Sequence, residues 1–166
     1  MIGERLLDYA REVYGPRLEE GLAFQDFILE QLHAHGIVLQ AYSSKSGQQK
    51  GENMLGLEIK FDRKLAATGS LYVETHERSH PDRPELVPSG IFRADRCWLF
   101  GIGNYDRFFV FGKRCLQRLA AAAGRRQVAG VRQVTNDTGT SRGFLLAEAL
   151  ARDMAEKVFE FKEAGR

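Results

Sequence analysis

Two short segments alternate strictly between apolar and polar side chains: Leu57-Glu58-Ile59-Lys60-Phe61-Asp62 and Leu71-Tyr72-Val73-Glu74-Thr75-His76. Successive side chains of a strand point to opposite faces, so a period of two commits both segments to β-structure buried on one side. Leu57, Ile59, Phe61, Leu71, Val73 and Thr75 make the apolar faces. Glu58, Lys60, Asp62, Tyr72, Glu74 and His76 make the polar ones. The stretch "RKLAATG" (63–69) turns the chain between them. The pattern predicts that residues 54–62 and 70–77 are adjacent antiparallel strands with their polar faces together.

The rest of the chain supplies further elements. Residues 3 to 35 read as helical, divided near Pro16. In "RLEEGLAFQDFILEQLHAHG" the spacing of Leu22, Phe24, Phe27, Ile28 and Leu32 gives one apolar stripe, and Gly36 supplies the stop. "IVLQAY" (37–42) reads as a short strand and "SSKSGQQKG" as a loop. The three prolines of residues 79–90 mark another loop, and "IFRADRCW" reads as a helical turn. "CWLFGIGN" and "RFFVFGK" form two strands joined at residues 104–106, with Trp98 in the core. "KRCLQRLAAAAG" is a helix, "RQVAGVRQVT" a last strand, and "TGTSRGFLLAEALARDMAEKVFEF" enters a long terminal helix striped by Leu146, Leu150, Met154, Val158 and Phe161. This order predicts one mixed α/β domain over residues 1–166, a central mixed sheet flanked by helices on both faces.

Composition narrows the functional classes. At 43% hydrophobic and 28% charged residues, the chain can bury a core and is not of the disordered class. It has no apolar run of the ~20 residues that cross a bilayer and no signal-peptide pattern, so no membrane partner is expected. Cys97 and Cys115 form no CxxC pair, which suits reduced thiols in a cytoplasmic protein. The net charge of +2 excludes a strongly basic protein, although "GKR" (112–114), "GRRQ" (124–127) and "TSRG" (140–143) are local clusters able to touch phosphates. His76, His80 and Cys97 match no standard zinc spacing.

The polar faces of the predicted hairpin carry the chemistry. Glu58, Lys60, Asp62, Tyr72, Glu74 and His76 would share one surface, with Glu52 near its entrance. Carboxylates converging beside a lysine suit Mg²⁺ or Mn²⁺ acting on phosphate, because hard cations take oxygen ligands and relieve carboxylate repulsion. The lysine could orient a water or stabilise charge developing on phosphate oxygens. The same pattern is equally that of an exposed strand face with cross-strand ion pairs.

"GENMLGLEIKFD" resembles the signature of the PD-(D/E)XK nuclease superfamily, the restriction-endonuclease-like fold, in which an acid precedes an acid-x-Lys triplet. Glu58-Ile59-Lys60 supplies the triplet. "GLEIK" is also similar to the corresponding stretch of the mismatch-repair nicking endonuclease and its restriction-enzyme relatives. The wider pattern, running from "GEN" through "TG.LY.E" to "TSRGFLL", looks like small bacterial and phage members of the superfamily. The resemblance implies a metal-dependent endonuclease acting on DNA, with Glu52, Glu58 and Glu74 as metal ligands and Glu58, Lys60 and Glu74 as catalytic residues. The usual Pro-Asp is absent, and Glu52 follows Gly51 instead. In a second registration Glu58 is the first acid and Glu74 the second, with His76 in place of the lysine. Both registrations share Glu58 and Lys60. Glu20, Asp26 and Glu30 are candidates for the acid that such proteins carry on their first helix. A module of the same fold that binds nucleic acid or a protein without cleaving is the alternative. Cutting both strands together would need paired sites, which leaves homodimerisation open.

Overall fold

The computed structural model describes residues 15–40, 53–137 and 139–161. Among these described residues thirteen elements follow one another: helix α1 (Gly15–Ala34), strand β1 (Leu57–Phe61), the helical turn α2 (Leu65–Thr68), β2 (Ser70–Glu77), β3 (Val87–Pro88), a 3₁₀ turn (Gly90–Phe92), β4 (Leu99–Gly103), β5 (Arg107–Gly112), α3 (Lys113–Arg125), β6 (Val131–Thr135), β7 (Ser141–Ala147), α4 (Glu148–Met154) and β8 (Lys157–Glu160).

The architecture is mixed α/β, with two four-stranded sheets where the sequence predicted one. Their strand orders are β1-β4-β5-β8 and β3-β2-β7-β6. The predicted hairpin is overturned. β1 pairs in parallel with β4, setting Glu58 opposite Phe100, whereas β2 pairs antiparallel with β7 and β3. The connection from β1 to β2 includes the turn α2, and Gly69 closes it in the left-handed region. Asp62 fixes the crossing. Its backbone N–H donates to the Gly103 carbonyl at 2.7 Å, and its carboxylate accepts the N–H groups of Lys64 at 2.9 Å and Tyr72 at 2.7 Å.

The first sheet is buried on both faces. On one side Leu57, Ile59, Phe108, Val110 and Phe159 pack with Phe24, Ile28 and Leu32 of α1. Those three helix residues are four apart, so they fall on one stripe. The stop at Gly36 is as expected, with φ 79°. On the other side Phe100, Ile102, Phe109 and Phe111 meet Leu71, Val73, Phe144 and Leu146 of the second sheet, with Leu116 of α3 and Ala151 of α4. Each such burial contributes about 1.5–3 kcal/mol. This second core is what places the two sheets face to face, in place of helices on both faces.

Other expectations divide. The β4–β5 hairpin and α3 stand as predicted, and the strand expected in "RQVAGVRQVT" is β6, shorter than that stretch and followed by two more strands. The predicted long terminal helix is instead β7, α4 and β8. Leu146 faces the core from a strand, and Val158 and Phe159 pair with β5. Residues 37–40 form no regular strand, and the rest of that predicted strand, the loop after it, the helix before residue 15 and Glu52 lie outside the described residues. Trp98 is 61% exposed and is not a core residue. Cys97 and Cys115 are both free thiols. Among the described residues no helix is long and apolar enough to cross a membrane.

Candidate functional site

Glu58 is the only β1 acid pointing at the second core, and it is fully buried. Removing a carboxylate from water costs several kcal/mol unless cations and hydrogen bonds compensate. Three cations do so. Lys60 Nζ lies 2.8 Å and Arg93 Nη2 3.4 Å from Oε1, and Lys113 Nζ lies 3.9 Å from Oε2. Lys60 comes from the same face of β1, Arg93 from the end of the 3₁₀ turn, and Lys113 from the first residue of α3.

Asp95 organises the cations from behind. Its Oδ1 accepts from Lys113 Nζ at 2.8 Å and from the Cys97 N–H at 2.9 Å, while Oδ2 accepts from Arg93 Nε at 2.7 Å. Lys113 also donates to the Arg93 carbonyl at 3.3 Å. Burial pushes the Asp95 carboxyl up, but the Lys113 and Arg93 hydrogen bonds outweigh it and hold its pKa below the usual carboxylate range. Among the described residues three cations face these two carboxylates, and the side chains of Lys60 and Arg93 are 38% and 36% exposed.

A second polar chain begins at β2. Glu74 accepts from Ser89 Oγ at 2.8 Å and from Ser141 Oγ at 2.6 Å. Tyr72 and Ser141 hydroxyls are 2.6 Å apart. Since the one Ser141 proton is committed to Glu74, the phenol is the donor in that bond. Burial, with the Glu74 charge adding to it, pushes the Tyr72 pKa up to about 12, which keeps the phenol protonated and able to donate. Gly90 makes the approach of Ser89 possible. It has φ 49°, and a Cβ there would lie 2.3 Å from the Glu74 carbonyl oxygen.

The two polar groups border adjoining clefts of about 1110 and 1090 Å³. The first runs between α1 and the β6–β7 side of the second sheet. The other lies over Glu74, Ser89 and Ser141. Lys60 and Arg93 line both. Among the described residues the first cleft carries six cationic side chains, Arg17, Lys64 and Arg132 among them, against four acids. Lys64 is ion-paired with Asp137 and Arg63 with Glu20, the latter at 3.0 Å.

Of the predicted site residues, Glu58 and Lys60 are in direct contact, and Lys60 and Glu74 share the second cleft. His76 bonds its neighbour Thr75. Glu20 and Asp26 line the first cleft. Asp62 is a structural acceptor between sheets. Among the described residues no group of three or more His, Cys, Asp or Glu is arranged to hold a metal ion. Glu58, enclosed by three cations, does not fit the role of an open metal ligand in this arrangement. Among the described residues Glu58 sits in a mixed ionic cluster, and the predicted ligand Glu52 lies outside them. Sequence reasoning missed Arg93, Asp95, Lys113, Ser89 and Ser141 as parts of the site. Lys113 stands in the noted "GKR" cluster and Ser141 in "TSRG", but Lys113 is buried, and Arg114, Arg125, Arg126 and Arg142 do not line the clefts.

No protein-family profile, no curated protein and no solved structure matches the chain significantly.

Proposed function

We propose that this α/β domain is a restriction-endonuclease-like module that binds nucleic acid through its phosphates along the joined clefts. The observation that carries this reading is the pair Lys60 and Arg93. Both are anchored by the buried Glu58 carboxylate while their side chains remain partly exposed where the clefts meet. Side chains already held in place lose less conformational freedom on meeting a ligand. Phosphate is the matching anion, since Arg and Lys recognise it by charge-assisted hydrogen bonds. Sequence resemblance at Glu58-Ile59-Lys60 supports the same ligand class.

Metal-dependent cleavage of DNA is a second reading, favoured by one observation: Lys60 and Glu74 line the same cleft, a cation and a carboxylate facing common space. Mg²⁺ is often held by one or two carboxylates plus phosphate oxygens and water. Glu58 does not offer the second carboxylate as arranged, so no hydrolytic step is assigned.

The test combines fluorescence anisotropy on labelled DNA and RNA with incubation of supercoiled plasmid and single-stranded DNA in Mg²⁺, Mn²⁺ or chelator. Salt-dependent binding that weakens in Lys60→Ala and Arg93→Ala, without cleavage, is the expected result. Chelator-sensitive cleavage abolished by Lys60→Ala and Glu74→Ala would establish the second reading. Absence of both sinks the proposal.

A further inference from the structure

The first cleft has an apolar wall that phosphate contacts leave unused. Leu18 and Leu22 stand one turn apart on α1, 49% and 50% exposed, and both line it. They lie off the stripe of Phe24, Ile28 and Leu32 that fastens this helix to its sheet. Val134 of β6 and Leu145 of β7 line the cleft as well, with Phe61 at the end of β1. The ring of Phe61 is held by Phe24 at 4.8 Å and Tyr105 at 5.4 Å. The cations Lys60 and Arg132 border the same space.

We infer that this cleft takes unpaired nucleotides, a base lying against Leu18, Leu22 and Leu145 while Lys60 and Arg132 hold adjoining phosphates. The inference rests on the phosphate-binding reading and adds the form of the strand. A duplex presents its phosphates and sugars outward and keeps its bases stacked, so it gains nothing from an apolar wall. An unpaired base offers an apolar face whose burial against leucine side chains is favourable, and single-strand sites pair a base-covering wall, commonly aromatic, with a cationic track. A cleft of about 1110 Å³ is close to the ~300–1,000 Å³ scale of small-ligand sites, which admits individual nucleotides. Charge decides against an apolar peptide or a lipid tail, since neither would use the cations lining this space.

Anisotropy on the full chain tests this with labelled oligothymidylate, alone and annealed to oligoadenylate. Wild type should prefer the single strand by roughly tenfold, the scale of covering about 60 Å² of apolar surface. Leu18→Ala combined with Leu22→Ala should remove that preference and leave duplex binding unchanged. Both residues are half exposed, so an unaltered melting midpoint is expected to show that the fold persists. Leu22→Tyr, which adds a stacking face, should tighten single-strand binding and is the variant to use if the double substitution disturbs the fold. Equal affinity for single strand and duplex, or single-strand binding indifferent to these substitutions, overturns the inference. If Lys60→Ala still weakens binding in that case, the phosphate reading survives alone. No binding to either strand form sinks both.

Discussion

The Asp62 carboxylate, just past the edge strand of one sheet, accepts the backbone N–H of Tyr72 in the other sheet at 2.7 Å. One side chain therefore joins the strand that carries Glu58 and Lys60 to the strand that carries Glu74. The relative position of the two polar groups depends on it. Asp62→Ala leaves the Tyr72 and Lys64 N–H groups without this acceptor, at a cost of roughly 2 kcal/mol. Chemical denaturation should show that loss, with weakened nucleic-acid binding beside it.

Asp62 also sets a pH dependence. Burial outweighs its backbone hydrogen bonds and raises its pKa above the ordinary value. The folded chain then keeps this proton in a window where the unfolded chain has lost it. Its contribution is fully present below the unfolded value of about 3.9 and is lost as pH rises through the raised folded value. Asp95 has the opposite sign: its depressed pKa gives stability present above the ordinary range and lost as pH falls through the folded value. Melting midpoints of wild type minus Asp62→Asn, measured from neutral to mildly acidic pH, should increase as pH falls. A flat difference would contradict the assigned burial.

Lys113 is 4% exposed and donates to Asp95. Lys113→Met removes one partner from a buried ionic cluster and should destabilise by about 3 kcal/mol. The exposed Arg114 next to it serves as control, and Arg114→Met should stay within about 0.5 kcal/mol.

Glu58→Gln separates the two functional readings. It keeps the shape and removes a charge that Lys60, Arg93 and Lys113 share. Melting should fall because the buried Lys113 loses a counter-charge, and affinity for nucleic acid should fall because Lys60 and Arg93 lose the carboxylate that holds them in place. Retained binding with abolished metal-dependent cleavage would instead identify Glu58 with the hydrolytic role. Lys60→Ala and Arg132→Ala should each lower the slope of log affinity against log salt by roughly 0.7 on single strands.

Gly90→Ala combines an unfavourable left-handed backbone with a Cβ placed 2.3 Å from the Glu74 carbonyl. A loss of at least about 2 kcal/mol is expected from denaturation curves. A tolerated alanine would mean that the Ser89 segment does not approach β2 this closely.

Alternation alone determined which faces of residues 57–62 and 71–76 are apolar, because side-chain direction in a strand is local. Helical spacing determined the Phe24–Ile28–Leu32 stripe, and a turn between two apolar strands determined the β4–β5 hairpin, again over short separations. The pairing of β1 with β4, and of β2 with β7, was decided by the tertiary structure. Apolar faces are interchangeable partners until the whole core is assembled, and only then does Asp62 have both Gly103 and Tyr72 within reach. The same reason explains Ser141 to Ala147, whose spacing reads as helix until Leu146 finds Leu71 across a ladder. Glu58 shows it most directly. Its position in a charged row was legible, but its burial was not, since the cations beside it include Arg93 and Lys113, brought there by other elements. Electrostatic compensation of a buried charge acts over a few ångströms in space, and sequence separation carries no information about it.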